Sequence, residues 1–213
     1  MKTKNYIEIT TAKAVGETFS FVVNDEITGI WIDDKKVDFI KIEHNNRKYK
    51  KVEFALKKQT FHIYTYGNLI YFEAFSQEVT YLDVINNSEL EELNCSKNKL
   101  TSLDVSYNKK LKYLDCSENE LKTLDVSQNI DLKKFLCDQN NLKILDISNN
   151  KKLEWFYCYQ NNLENLDLSY SNDLVYFECF ANPLLTSIKL NDKQLADVEN
   201  KSWFKDKSVK YSI

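Results

Sequence analysis

Residues 111–131 read LKYLDCSENELKTLDVSQNID, and this arrangement of apolar, cysteine and asparagine positions recurs every 21 residues on both sides of the stretch. Its recurring positions are Leu111, Leu114, Cys116, Asn119, Leu121, Leu124 and Val126. The cysteine column is Cys95, Cys116, Cys137, Cys158 and Cys179, and the asparagine column is Asn98, Asn119, Asn140, Asn161 and Asn182. Two parallel columns of this kind indicate an internal repeat, which decides the fold before any single segment is considered.

Each repeat predicts one turn of a solenoid. In L-x-x-L-x-C, the fourth and sixth positions face the core from a short parallel strand, whereas the third, fifth and seventh point outward. The asparagine amide can donate to and accept from the turn backbone, which suits a chain with only 3 glycines and 1 proline. A degenerate first repeat begins at residue 69, with Gln77 in the asparagine position. Pro183 shifts the period by one residue, and the solenoid ends near residue 190 after about six turns.

The segments before and after the repeats lack the 21-residue period and differ from the repeats in composition. Residues 1–68 lack the period, and their β-branched and aromatic stretches predict a small all-β N-terminal cap domain. These stretches are 18–23, 27–32, 36–42, 50–56 and 59–66. Residues 69–190 form the solenoid, and residues 191–213 are predicted to be a C-terminal cap with a helix within 195–206. Trp203 and Phe204 are the expected lid residues over the end of the core.

Composition and motifs exclude several functional classes. The net charge of −3 does not supply the phosphate neutralisation that nucleic-acid binding needs. No long apolar run predicts membrane insertion, and the opening MKTKNYIEITT lacks the apolar segment of an export signal. No G-x-S-x-G or glycine-rich phosphate loop occurs, and both histidines, His44 and His62, lie in the cap. We therefore expect no catalytic residues, no cofactor and no metal site.

The polar columns have structural and functional interpretations. Metal binding by the cysteines is disfavoured because they lack C-x-x-C spacing, and disulfides are disfavoured because parallel side chains in register cannot readily reach the required dihedral angle. Buried, reduced thiols are the preferred interpretation. Aspartate and serine columns follow the second half of each repeat, and turn capping is preferred there over cation binding. The members of these columns are Asp104, Asp125, Asp146, Asp167, Ser106, Ser127, Ser148 and Ser169.

The outward positions of the predicted strands are rich in aromatic residues. Aromatic side chains combine a large contact area with a small loss of conformational entropy, so their enrichment on a surface indicates binding. The predicted partner-binding residues are Tyr113, Leu136, Trp155, Tyr157, Tyr159, Tyr176 and Phe180. A protein partner, either a host protein or another surface protein of the same cell, is the first hypothesis. Glycan binding and a purely structural spacer role are the alternatives.

The motifs TAKAVGETFSF, WID and LKKQTFHIYTYGN, followed by L-x-x-L-x-C-S-x-N-x-L-x-x-L-D-V-S-x-N repeats, resemble bacterial cell-surface leucine-rich repeat proteins and, more distantly, internalins. The resemblance implies a right-handed leucine-rich repeat solenoid, α/β in type but mostly β. It also implies a non-catalytic recognition module that is secreted or held at the cell surface. A cytoplasmic location is the alternative, since the sequence as given carries no export signal.

Overall fold

The computed structural model describes residues 4–213 except 25, 26, 28, 34, 39, 45 and 46. Residues 28 and 39, inside two of the predicted cap segments, thus lie outside the described part. The cap strands are β1 Lys4–Thr11, β2 Thr18–Asn24, β3 Gly29–Ile32, β4 Lys35–Lys36, β5 Ile40–His44, β6 Arg47–Ala55 and β7 Thr60–Tyr66. The all-β cap is confirmed, but the sequence did not predict β1.

The cap is built from two layers of antiparallel strands. In one layer β3, β7 and β1 lie side by side, and in the other β2, β6 and β5 do so. Phenylalanine rings join the layers: the ring of Phe61 lies 5.0 Å from Phe19 and 5.2 Å from Phe54, edge-on to both. Edge-to-face contacts of this kind are favourable beyond the area they bury, so these rings hold the two layers together.

The repeat region consists of short strands that pair with the strand one turn later. Its strands are β8 Tyr71–Glu73, β9 Val79–Asp83, β10 Glu92–Asn94, β11 Tyr113–Asp115, β12 Lys134–Leu136, β13 Trp155–Tyr157, β14 Leu166–Asp167, β15 Tyr176–Glu178 and β16 Ser187–Lys189. Strands β8, β10, β11, β12, β13 and β15 run parallel, and the register places equivalent repeat positions opposite each other. Each central residue is buried, and its two neighbours are less buried. Repeat spacing alone therefore fixes which side chains face the core.

The first turn of the solenoid is joined to both layers of the cap. Strand β8 pairs antiparallel with β2, and β9 pairs antiparallel with β1. The side-chain oxygen of Gln77 accepts hydrogen bonds from the backbone N–H of Ser20 at 2.8 Å and from Lys13 Nζ at 3.1 Å. The residue that breaks the asparagine column thus fastens the solenoid to the cap.

The C-terminal segment adds one turn more than the sequence predicts. It contains helix α1 Asp192–Asp197, a 3₁₀ turn Val198–Asn200, β17 Ser202–Phe204 and β18 Lys210–Ser212. Strand β17 pairs parallel with β15, and β18 pairs parallel with β16. Among the described residues the solenoid therefore has seven turns, not six. The pattern missed this turn because its insertions remove the 21-residue spacing.

One ten-stranded sheet, here called the long sheet, runs through the cap and the solenoid in the order β17-β15-β13-β12-β11-β10-β8-β2-β6-β5. Its inner face meets a continuous hydrophobic core in which large rings follow the strand centres. Phe156 lies between Phe135 at 5.6 Å and Phe177 at 5.7 Å, and Trp203 lies 5.5 Å beyond Phe177. Trp203 thus covers the end of the core as predicted, and the opposite face of the long sheet is left for other contacts.

Candidate functional site

The open face is the side of the long sheet that points away from the core. It carries the first and last side chain of each short strand, which alternate with the buried central residue. One row across the strands is Tyr71, Glu92, Tyr113, Lys134, Trp155, Tyr176 and Ser202. The second row is Glu73, Asn94, Asp115, Leu136, Tyr157, Glu178 and Phe204.

The asparagine column holds the turns that follow these strands. Asn140 Nδ2 donates to the carbonyl oxygens of Cys116 at 3.0 Å and Cys137 at 3.2 Å. Its Oδ1 accepts from the N–H of Leu121 at 3.0 Å, so a single side chain connects adjacent turns. Asn98, Asn119, Asn161 and Asn182 make equivalent contacts. This fixes the point where the chain leaves the open face.

The residue before each column position turns the chain with a positive φ and without glycine. The residues are Ser76, Lys97, Glu118, Gln139, Gln160 and Ala181, with φ between 51° and 55°. This left-handed conformation crowds the Cβ of an L-residue and is usually disfavoured. The hydrogen bonds of the adjacent asparagine side chains offset that cost, which explains how a glycine-poor chain makes sharp turns.

A second asparagine column, missed by the sequence analysis, lies on the other side of the core. Asn129 Nδ2 donates to the carbonyl oxygens of Val105 at 3.0 Å and Asn108 at 2.9 Å. Its equivalents Asn87, Asn108 and Asn150 are also fully buried, and the same spacing in the sequence could have revealed them. At the C-terminal end Gln194 takes over, donating to Leu168 and Ser171. This column is structural, since it lies inside the solenoid.

The cysteine column is buried, and all five thiols are free. Burial raises the pKa of Cys179 to about 12 and raises those of Cys116, Cys137 and Cys158 well above the usual value. Thiolate is the reactive form of cysteine, so these side chains are poor nucleophiles in the folded protein.

The aspartate column caps turns through the backbone. Asp125 Oδ1 accepts from the N–H of Ser127 at 2.8 Å, and Asp104, Asp146 and Asp167 do the same toward the serine two residues later. This hydrogen bond lowers the pKa of Asp125. Within the described residues, no group of three or more histidine, cysteine, aspartate or glutamate side chains could hold a metal ion.

The aromatic patch is the set Trp155, Tyr157, Tyr159, Tyr176 and Phe180 on and just beyond β13 and β15. The ring of Trp155 lies 4.2 Å from that of Tyr176 and 6.4 Å from that of Tyr157. Tyr159 lies 6.5 Å from Tyr157 and stacks on Phe180 at 4.6 Å with an interplanar angle of 7°. The five rings therefore form one connected surface.

Tyr113 and Leu136 lie next to this patch on β11 and β12. Lys134 Nζ is 5.3 Å from the ring of Tyr113 and 4.7 Å from that of Trp155. Leu136 lies beside Tyr157 in the strand register. A lysine held between two rings connects Tyr113 to the aromatic patch, because a cation is attracted to an aromatic face.

The seventh repeat positions are not all exposed. Ser96 is only 3% exposed, and Asp138, which the outward pattern places at the surface, is only 4% exposed. Burial raises the pKa of Asp138, although its hydrogen bond with the Tyr159 side chain favours the charged form. Ser117, the seventh position of the repeat between them, is buried as well. The expectation that the seventh position points into solvent is wrong for these three residues, because the chain is already turning into the core there.

Phe204 is not a lid residue over the end of the core, contrary to the expectation from the sequence. It is 59% exposed on the open face beside Glu178, whereas Trp203 alone packs over the core. Alternation along β17 puts the two neighbouring side chains on opposite faces. Phe204 thus extends the aromatic surface beyond the last repeat recognised in the sequence.

No protein-family model and no curated protein matches the chain. It is similar to the functional domain of InlJ from Listeria monocytogenes, which includes a cysteine ladder: identity is 27%, 68% of this chain and 41% of that chain are covered, and the TM-score is 0.49. For the Leptospira interrogans leucine-rich repeat protein LIC12759 the identity is 24%, the match covers 58% of this chain and 38% of that chain, and the TM-score is 0.46. For the internalin InlF from Listeria monocytogenes strain 4b F2365 the identity is 15%, the match covers 68% of this chain and 62% of that chain, and the TM-score is 0.41.

The chain spans about two fifths of the length of the first two of these structures. All three are leucine-rich repeat proteins or internalins, the kind of protein that the repeat sequence resembles. The fold itself is a leucine-rich repeat solenoid of parallel strands. In the described residues, no helix is long and apolar enough to cross a membrane.

Proposed function

We propose that this chain is a non-catalytic recognition module that binds a protein through the aromatic patch of the open face. The observation that supports this most strongly is the contact between five aromatic side chains of neighbouring turns on an exposed sheet face. Clustered aromatic residues with polar tips are typical of the energetically dominant part of protein interfaces. Tyr113, Leu136 and Phe204 enlarge this surface at its edges.

The geometry favours a protein over a glycan. Sugar rings stack on an open aromatic face, but Trp155 is flanked by Lys134 on one side and Tyr176 on the other. Tyr159 and Phe180 are stacked on each other. Ring edges and polar tips are therefore what the patch mainly presents, and these suit the varied side chains of a protein better than a flat sugar.

The proposal includes a bacterial cell-surface or secreted location, which follows from the resemblance of the repeats to surface leucine-rich repeat proteins. The folded chain suits such a role because its thiols are buried and protected from oxidants. Surface biotinylation of intact source cells, followed by detection of the labelled chain, tests the location.

The binding proposal is tested with paired variants against a panel of candidate proteins and a glycan array. Trp155→Ala with Tyr176→Ala should weaken protein binding by about 2 kcal/mol or more, roughly thirtyfold. The matched control is Tyr107→Ala with Ile144→Ala, since these side chains are 57% and 76% exposed and lie outside the long sheet. Equal losses from both pairs, or binding to glycans alone, would contradict the proposal.

A further inference from the structure

Charges outside the strands of the long sheet are paired from turn to turn. Lysine and carboxylate side chains one turn apart form these pairs: Lys97–Glu118, Lys99–Glu78, Lys110–Glu89, Lys112–Glu91, Lys133–Glu154 and Lys152–Asp131. In this solenoid, register places a residue beside its repeat equivalents, so opposite charges in one column meet. The sequence thus balances its charges locally over much of the solenoid surface.

The open face does not follow this arrangement. In the described part of the chain, no lysine or arginine forms an ion pair with Glu73, Asp115 or Glu178. Glu73 accepts from the hydroxyl of Tyr71 at 2.6 Å instead. A neutral donor such as this hydroxyl satisfies the hydrogen-bonding capacity of the carboxylate but does not neutralise its negative charge.

Asp115 has the same kind of environment. It accepts from the Tyr113 hydroxyl at 3.2 Å and from the N–H and hydroxyl of Ser117 at 3.1 and 2.6 Å. Lys134 is the single cation at the open-face positions of the described solenoid strands, and aromatic rings flank it. The open face therefore carries Glu73 and Asp115 toward the cap, and the aromatic patch with Glu178 toward the C-terminal end.

We infer that the partner is a protein whose interface presents arginine or lysine side chains beside apolar ones, with the cations over the strands that carry Glu73 and Asp115. This inference rests on the proposed function and adds the chemistry of the partner. Complementary charge sets orientation and association rate more than affinity, so it would align the partner along the solenoid. Arginine suits the site particularly well, because its planar group can pair with a carboxylate while stacking on Tyr71 or Tyr113.

The test uses a displayed library of random linear peptides selected on the immobilised full chain. Selected peptides should be enriched in arginine and lysine together with aliphatic or aromatic residues. Their affinity should fall about tenfold on charge neutralisation by Glu73→Gln with Asp115→Asn, and should fall as salt rises. The matched control, Glu120→Gln with Glu164→Gln, removes two exposed carboxylates outside the long sheet and should leave affinity unchanged.

The outcomes separate the inference from the proposed function. Peptides that lose binding with Trp155→Ala and Tyr176→Ala but are neither cationic nor salt-sensitive would overturn the inference and leave the proposed function standing. Peptides indifferent to the aromatic pair would overturn both. A selection that yields no binder above background would also overturn the inference. If the carboxylate variant fails to fold, as judged by its melting curve, the inference is tested by the composition of the selected peptides and by the salt dependence of their binding to the wild type. Peptides that are not cationic, or whose binding does not weaken with salt, would then overturn it.

Discussion

The cap and the solenoid share one long sheet but are built by different rules. In the solenoid each strand pairs in parallel with the strand one repeat away, so Trp155 meets Tyr176 and Lys134. In the cap, β1 pairs with β7 and also with β9, which place Lys4 opposite Tyr66 and Glu8 opposite Asp83. A solenoid position therefore takes its environment from its column, whereas a cap position takes it from distant, unrelated segments.

The largest expected effect tests whether residues within one column are interchangeable. Phe156→Ala should lower the free energy of unfolding by about 3 to 5 kcal/mol, because it opens a cavity between Phe135 and Phe177. Phe156→Leu should cost only about 1 kcal/mol. Leucine already fills this column at Leu93 and Leu114. Urea unfolding measures the stability of both variants. Equal losses would show that residues found in the same column of other repeats are not interchangeable.

The next effect concerns the polar columns. Asn140→Ala should destabilise by about 3 kcal/mol, because it leaves buried carbonyl and N–H groups of two turns without partners. The neighbouring Asn141 is exposed, so Asn141→Ala provides a matched control with an expected change below about 0.5 kcal/mol. If the two alanine variants unfold at the same urea concentration, the amide contacts do not hold the turns.

These differences explain what could be predicted from the sequence. The strand positions, the buried cysteines and the aromatic residues at Trp155, Tyr157 and Tyr176 follow from a fixed spacing, since equivalent positions have equivalent neighbours. Strand β1 could not be found in this way, because its partners are set by antiparallel pairing across fifty or more residues. The last turn was missed for a related reason: insertions before Ser202 remove the spacing although β17 still pairs in parallel.

The candidate surface shows the same division. Alternation predicts side-chain direction within a strand, which is why the positions on β13 and β15 lie on the open face. It fails at Asp138, where the chain has left the strand and the side chain is buried and hydrogen-bonded to Tyr159. The carboxylates of the open face were present in the sequence, but the ion pairs elsewhere that make them distinctive emerge only from the register.

A smaller effect compares the two ends of the cysteine column. The cap joins the first turn through β1 and β2, whereas the last regular turn is covered by β17 alone in the long sheet. Local opening should therefore be easier at the C-terminal end. We expect Cys179 to react with a thiol reagent about ten times faster than Cys95 under native conditions, as read by mass spectrometry of the labelled peptides. Faster labelling of Cys95 would show that the cap protects its end less well.

The smallest effect concerns how the two regions turn the chain. In the cap, glycine occupies two positions of positive φ, Gly16 at 97° and Gly67 at 118°, and Asp33 occupies a third at 52°. The solenoid has no glycine and uses residues such as Gln160 at φ 51°. A left-handed residue other than glycine costs roughly 1 to 2 kcal/mol, and glycine itself costs about 0.5 to 1 kcal/mol in lost chain entropy. Gln160→Gly should then stabilise the protein by about 0.5 to 1 kcal/mol, given the difference between these costs.

Gln160→Ala is the matched control, because it removes the same exposed side chain but keeps the Cβ atom that crowds the left-handed backbone. It should give no gain in the urea midpoint. Gly16→Ala provides the converse measurement in the cap. Nothing lies within 4 Å of the added Cβ, so any loss of stability there reflects backbone conformation and not a clash. Should Gln160→Gly and Gln160→Ala have the same stability, the turns of the solenoid would hold their left-handed residues without strain, and the two regions would not differ in this respect.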